Sequence, residues 1–104
     1  MYLSVIIPTY NEAHKIINNL TSIRDYLSQQ PYDWEVIIVN DGSTNNTAEL
    51  VDNFIKQNHG FRLIDNKKNH GKGYVVKQGM LVAKGGFRLF TDADGSTTID
   101  HLEK

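Results

Sequence analysis

An α/β fold is what this sequence predicts: a Rossmann-like parallel sheet with helices on both faces, in three α/β/α layers. Two observations predict it. Short continuous apolar runs alternate with stretches whose apolar residues repeat at helical spacing. The resulting order, β-α-β-α-β-α-β with short connections, implies parallel strands joined by right-handed crossovers. In addition, the connections expected at the carboxyl edge of that sheet, residues 8–12, 40–44, 66–73 and 91–97, are the most polar in the chain. Open parallel sheets bind their ligands outside that edge, where the strand order reverses.

Residues 3–7 form a β-branched apolar run that Pro8 should stop, the pattern of a buried strand. Asn11 is placed to cap the helix that follows, whose apolar face is Ile16, Ile17, Leu20, Ile23 and Leu27, with Pro31 beyond its end. The second strand covers residues 34–39 and closes in Asn40-Asp41-Gly42-Ser43-Thr44. Asp-Gly is a hairpin signal when alternating apolar residues follow, but Ala48, Val51, Phe54 and Ile55 fall at helical spacing, so a strand-to-helix turn fits better.

His59-Gly60 ends the second helix at a left-handed stop, and residues 61–64 form a weaker third strand. A basic, glycine-containing loop leads to a third helix over residues 74–83, with Val76, Met80 and Ala83 on one side, and Gly85-Gly86 ends it. The fourth strand, 87–90, runs into Thr91-Asp92-Ala93-Asp94-Gly95. Thr97 with Asp100 reads as a capping box, opening a helix with Ile99 and Leu102 on its apolar face. Only about two turns remain before Lys104, too few to be stable alone, so the expectation is a portion of a longer protein truncated at its carboxyl end.

A chain of 104 residues makes one domain at most, and an apolar fraction of 39% with 22% charged residues is ordinary for a globular chain. A net charge of −1 gives no reason to expect nucleic acid or an acidic membrane surface as partner. The absence of cysteine excludes disulfides and thiolate metal sites. No apolar run approaches the roughly 20 residues that span a bilayer, and Met1-Tyr2-Leu3-Ser4 lacks signal-peptide features. A cytoplasmic location is therefore expected, with any membrane association left to parts outside this chain.

Several chemistries fail on their own residues. A dinucleotide fingerprint needs glycines between the first strand and helix, where Pro8-Thr9-Tyr10-Asn11-Glu12 has none. A Walker loop would need glycine at 66 and serine or threonine at 73, which are Asn66 and Gly73. His14, His59, His70 and His101 are scattered, and only His70 in the basic loop is kept as a ligand contact. No serine sits in a nucleophile elbow. What remains is an edge with two acids, Asp92 and Asp94, and lysines Lys67, Lys68, Lys72 and Lys77. Asp and Gly build ordinary turns too, but a pyrophosphate with a divalent cation satisfies both signs: the metal takes the carboxylates and lysines take phosphate oxygens. Lys67 and Lys68 read better as a solvated loop. Lys72, between Gly71 and Gly73 at a helix start, adds backbone N–H groups and the helix dipole to its own charge.

Three separated motifs, Ser4-Val5-Ile6-Ile7-Pro8-Thr9-Tyr10-Asn11-Glu12, Glu35-Val36-Ile37-Ile38-Val39-Asn40-Asp41-Gly42-Ser43-Thr44 and Thr91-Asp92-Ala93-Asp94-Gly95, together resemble family 2 glycosyltransferases of the GT-A fold. Asn69-His70-Gly71-Lys72-Gly73 with Gln78-Gly79-Met80 is similar to the dolichyl-phosphate β-glucosyltransferase branch. The resemblance covers the nucleotide-binding half of such an enzyme. It implies that Pro8, Thr9, Tyr10 and Glu12 bind the donor's nucleoside, and that Asp41 hydrogen-bonds the base, most often uracil. Lys72 would lie near the phosphates. Asp92 and Asp94 would be the catalytic DxD pair holding Mg²⁺ or Mn²⁺, Asp94 nearer the metal.

The implied reaction is inverting transfer of a sugar, glucose from UDP-glucose, to an acceptor such as a polyprenyl or dolichyl phosphate. No residue in the chain stands out as a catalytic base, which in the family lies further along than Lys104. Thr98 departs from a frequent proline without consequence for the turn. The competing readings are a non-catalytic nucleotide-sugar-binding or docking module and a sugar-phosphate nucleotidyltransferase, whose glycine-rich loop after the first strand is missing.

Overall fold

The computed structural model describes residues 2–91. Among them the order is β1 (Leu3–Thr9), α1 (Ile16–Leu27), β2 (Trp34–Asp41), α2 (Thr47–Gln57), β3 (Phe61–Asn66), α3 (Lys72–Val82) and β4 (Phe87–Phe90). The strands form one parallel sheet in the order β3-β2-β1-β4. The chain thus builds outward from β1 to β3, then returns to add β4 on the other side of β1. That reversal puts the switch point, where open parallel sheets carry their ligand crevice, at the carboxyl ends of β1 and β4.

Burial on both sheet faces explains the unbroken apolar strands. Leu3, Val5, Ile7, Val36 and Ile38 pack with Ile16, Leu20, Ile23 and Leu27 of α1 and Val51 and Phe54 of α2. On the opposite face Ile6, Ile37 and Val39 pack with Val75 and Ala83. The expected three layers are present, two helices on one face and one on the other.

Four expectations change in detail. Pro8 does not end β1, which continues to Thr9 and pairs Pro8 with Val39. The Ile6 carbonyl accepts from Thr91 on the β4 side (3.0 Å), so the N–H that Pro8 lacks would also face that side, beyond the paired residues of β4. The proline therefore costs no bond to β2. Helix α1 begins at Ile16, flanked by Lys15, with no side-chain cap, so Asn11 does not cap it. Strand β3 runs on to Asn66, two residues past its apolar stretch.

The fully buried stripe of α3 is Val75 and Gly79, with Ala83 just beyond; Met80 packs partly buried against the same core, and Val75 takes the place expected of Val76. Glycine carries no hydrophobic signal, yet its missing Cβ is what lets the helix approach. A methyl on Gly79 would sit 2.6 Å from Ile6 Cγ2 and 3.2 Å from Val39 Cγ2.

At the amino edge, buried Glu35 ties the α3–β4 connection to the sheet. Its Oε2 accepts from the Ser4 hydroxyl (2.6 Å) and the Lys84 N–H (2.7 Å), Ser4 Oγ accepts from Gly85 N–H (2.8 Å), and Arg62 Nη2 bridges Glu35 Oε1 (3.1 Å) to the Val82 carbonyl (2.7 Å). Burial pushes the Glu35 carboxyl up. The Lys84 N–H, the Ser4 hydroxyl and the Arg62 guanidinium outweigh it and leave the carboxyl below its ordinary value.

Two outcomes are expected from this packing. Gly79→Val should lower unfolding free energy in urea by about 1–3 kcal/mol, because the helix must lift off Ile6 and Val39. For Glu35, a folded-state pKa below the unfolded one means its stabilisation is present above the ordinary carboxylate range and lost as pH falls through the depressed value. Glu35→Gln should be less stable at neutral pH and should flatten the acid limb of a stability–pH profile.

Candidate functional site

Three of the carboxyl-edge connections, those after β1, β2 and β3, meet through hydrogen bonds at the end of β2. Asn40 and Asp41 are consecutive, so they point to opposite sheet faces. Asn40 Nδ2 donates to Asp65 Oδ1 at the end of β3 (2.8 Å), and Asn40 Oδ1 accepts from the Ser43 hydroxyl. Ser43 Oγ accepts the Asn11 N–H (2.9 Å), and Asn11 Oδ1 accepts the Thr44 N–H (2.8 Å). Asn11, at φ 51°, is the one non-glycine residue with positive φ among those described, a conformation asparagine tolerates best. Its role is to join the β1–α1 turn to the β2–α2 turn.

Asp41 serves the other neighbour. It is buried, and its Oδ1 and Oδ2 accept the backbone N–H groups of His70 (2.6 Å) and Gly71 (3.0 Å), while its carbonyl accepts from Asn69 Nδ2 (3.2 Å). This fixes the loop immediately ahead of Lys72, the first residue of α3. Gly42 passes beneath the same loop at φ 70°, where a Cβ would lie 2.5 Å from Lys68 C and Asn69 N, so both the conformation and the space demand glycine. Asn66 and Gln78 exchange hydrogen bonds (2.7 and 3.1 Å) and tie the loop's start to α3.

The residues singled out from sequence are placed as follows. Pro8 is half-buried at the end of β1, and in the connection that follows Tyr10 is exposed and Glu12 is half-buried. Thr9 is buried with its hydroxyl on the Ile7 carbonyl (3.3 Å), turned into the fold. Both Asp41 oxygens are engaged by backbone donors, each keeping a further lone pair. Lys72 Nζ lies 5.5 Å from the Phe90 ring centroid, a cation–π contact that brings its ammonium to the end of β4. His70 stacks on Tyr74, ring centroids 4.3 Å apart, and Lys67 pairs with Asp65 (2.9 Å) at the exposed surface.

Asp92 and Asp94 lie outside the described residues. The preceding Thr91 is buried and its N–H donates to the Ile6 carbonyl of β1. Among the described residues no three His, Cys, Asp or Glu side chains gather as a metal site. No described helix is long and apolar enough to cross a membrane.

Asn11, Asn40, Ser43 and Asp65 were not singled out for this clasp by sequence reasoning. The signal available was a run of side-chain amides, Asn11, Asn40, Asn66 and Asn69, at three strand ends, each able to donate and accept at once. Asp65 is the acid of the group. The Asn40 hydrogen bond lowers its carboxyl pKa, partial burial opposes this, and Lys67 assists.

A parallel sheet with its polar network and basic helix start at a β1/β4 switch point defines an open α/β architecture of the GT-A type. The model of the family described as Glycosyl transferase family 2 matches residues 4–104, and the chain belongs to that family. It is 41% identical to a dolichyl-phosphate beta-glucosyltransferase of Trichomonas vaginalis over all of this chain and 32% of the relative. It is 39% identical to the dolichyl-phosphate beta-glucosyltransferase of Saccharomyces cerevisiae over all of this chain and 33% of the relative. The chain therefore spans about a third of the length of the curated relatives it matches.

Among solved structures, the mannosyltransferase PcManGT from Pyrobaculum calidifontis, in complex with GDP-Man and Mn²⁺, superposes with a TM-score of 0.76 at 31% identity, covering 88% of this chain and 27% of that one. S. aureus TarS 1–349 in complex with UDP-GlcNAc superposes with a TM-score of 0.73 at 29% identity, covering 99% of this chain and 29% of that one.

The Asp41 arrangement gives a direct test. Asp41→Ala should accelerate hydrogen exchange at the His70 and Gly71 amides by about an order of magnitude while core amides of β1 and β2 keep their protection. Unchanged exchange at those two amides would mean that the loop is held by something else.

Proposed function

We propose that this chain is the donor-binding part of a metal-dependent, inverting glycosyltransferase that moves glucose from UDP-glucose to a polyprenyl or dolichyl phosphate. What supports the reading is the pairing of β1 with β4: Tyr10 and Glu12 follow β1, Lys72 stands over Phe90 of β4, Thr91 is bonded to Ile6, and Asp92 and Asp94 come next in the sequence. The relatives' substrate and the neighbours' complexes with nucleotide sugars support it.

Each group has a physical task. Tyr10 and Glu12 offer an aromatic ring and a carboxylate beside the crevice for the nucleoside. Asp41 binds the base through the lone pairs its backbone partners leave free. Lys72, with the first N–H groups of α3, attracts the diphosphate. Asp92 and Asp94 are hard oxygen donors, a set that suits Mg²⁺ or Mn²⁺. When bound, such an ion supplies Lewis-acid stabilisation of the departing diphosphate. A phosphate acceptor already carries the attacking charge at neutral pH, which lessens the need for a strong base. In-line displacement at the anomeric carbon forms the bond to the acceptor oxygen as the bond to UDP breaks, inverting the centre. A lipid acceptor would place the enzyme in the cytoplasm at the cytoplasmic face of a membrane.

Calorimetric titration with UDP is expected to show tighter binding with Mn²⁺ or Mg²⁺, on the order of tenfold, or about 1.4 kcal/mol. Asp94→Ala should reduce that gain to the metal-free value. Equal UDP affinity of wild type and Asp94→Ala with metal present would overturn the metal role of Asp94.

A further inference from the structure

We infer that Asp65 is a positioning residue for the nucleotide crevice, acting at a distance through Asn40, Ser43 and Asn11 on the turn that presents Tyr10 and Glu12. The inference rests on the nucleotide-binding reading above for its consequence, and on hydrogen-bond direction for its mechanism.

An ionised carboxylate can only accept. Asp65 Oδ1 therefore requires the Asn40 amide to present its NH₂ (2.8 Å), which leaves Asn40 Oδ1 facing Ser43. Ser43 has one hydroxyl hydrogen. Donated to Asn40 Oδ1, it leaves only lone pairs on Oγ, and one of these accepts the Asn11 N–H (2.9 Å). Asn11 Oδ1 in turn accepts the Thr44 N–H (2.8 Å). The Asn40 amide and the Ser43 hydroxyl, the two groups in the series that could turn either way, thus have one direction each, set by Asp65 at one end and the Asn11 N–H at the other. Asn40 is 2% exposed, so water has little access to substitute for a missing partner.

What the series holds is the least favourable backbone in the region, Asn11 at φ 51°. Tyr10 and Glu12 flank it on either side. With Asn11 at this positive φ, the tyrosine before it is exposed and the Glu12 carbonyl after it accepts Lys15 N–H (2.9 Å) and Ile16 N–H (2.8 Å), starting α1. Asp65 also pairs with Lys67, but that pair is at the surface and points away from the series.

Replacing Asp65 by asparagine keeps the shape and removes the obligation. Its amide can offer NH₂ to Asn40, turning the Asn40 oxygen inward and presenting a donor to Ser43. Ser43 would then lose the acceptor for its hydrogen, and its hydroxyl, free to turn, would hold the Asn11 N–H less firmly.

The experiment compares wild type, Asp65→Asn, and the double variant Asn40→Asp with Asp65→Asn, by amide hydrogen exchange and by UDP titration with Mg²⁺. Asp65→Asn should speed exchange of the Asn11 and Thr44 amides by about tenfold and weaken UDP by roughly five- to tenfold, the change expected for one lost hydrogen bond. The double variant restores an acceptor-only group beside Ser43, with the amide introduced at position 65 donating to it. It should recover most of both effects although the pairing with Lys67 stays broken. Wild-type exchange at Asn11 in Asp65→Asn would overturn the inference, as would a double variant no better than the single one. Should wild type fail to bind UDP, the nucleotide reading falls, and exchange at Asn11 still decides whether Asp65 sets this turn.

Discussion

Strands β1 and β2 pair in parallel from Leu3 against Trp34 to Thr9 against Asn40, and Val5 to Ile7 and Val36 to Val39 have no solvent exposure. That dry, two-faced pairing is the constraint on which the rest depends. Strands buried on both faces admit no polar side chain along their middle, so polar groups collect at the ends. The amino end holds Ser4, Glu35 and Arg62, and the carboxyl end holds Thr9, Asn40 and Asp41. The two ends use their polar groups differently. At the amino end, charges are consumed in fastening the α3–β4 connection. At the carboxyl end they order loops around an open crevice.

Placing β4 beside β1 rather than beside β3 creates that crevice, and the choice follows from α3. The helix crosses to the face opposite α1 and α2 because Val75, Gly79 and Ala83 match Ile6, Ile37 and Val39. Gly79 permits the close approach, so the return crossover lands on the free side of β1. Thr91 is thereby hydrogen-bonded to Ile6 of β1, and Lys72 is delivered over Phe90.

The site's loops are organised by a strand end rather than by the loops themselves. Asn40 and Asp41, pointing to opposite faces, each hold one neighbouring loop: Asn40 through Ser43 to Asn11, and Asp41 through the backbone of His70 and Gly71. A short motif, Asn-Asp-Gly-Ser, therefore orders the chain on both sides of β2. Gly42 adds the clearance beneath Asn69 that the second of these needs. The proposed donor contacts at Tyr10, Glu12 and Lys72 are held at one remove by residues that are themselves buried.

By itself the sequence determined the element order, the parallel three-layer class and the identity of the polar edge, because these follow from the period of apolar residues and from where Gly, Asn and Asp interrupt them. Family motifs made the glycosyltransferase class legible for the same reason, since they are contiguous stretches. Only the tertiary structure decided that Asn11 bridges two turns instead of capping α1, that Gly79 lies directly against Ile6 and Val39, and that Asp65, on a different strand and far along the chain from Asn11, belongs to the same hydrogen-bonded series. Each depends on a partner distant in sequence. The direction of a hydrogen bond, or the room left by a missing side chain, exists only once the strands have set those partners side by side.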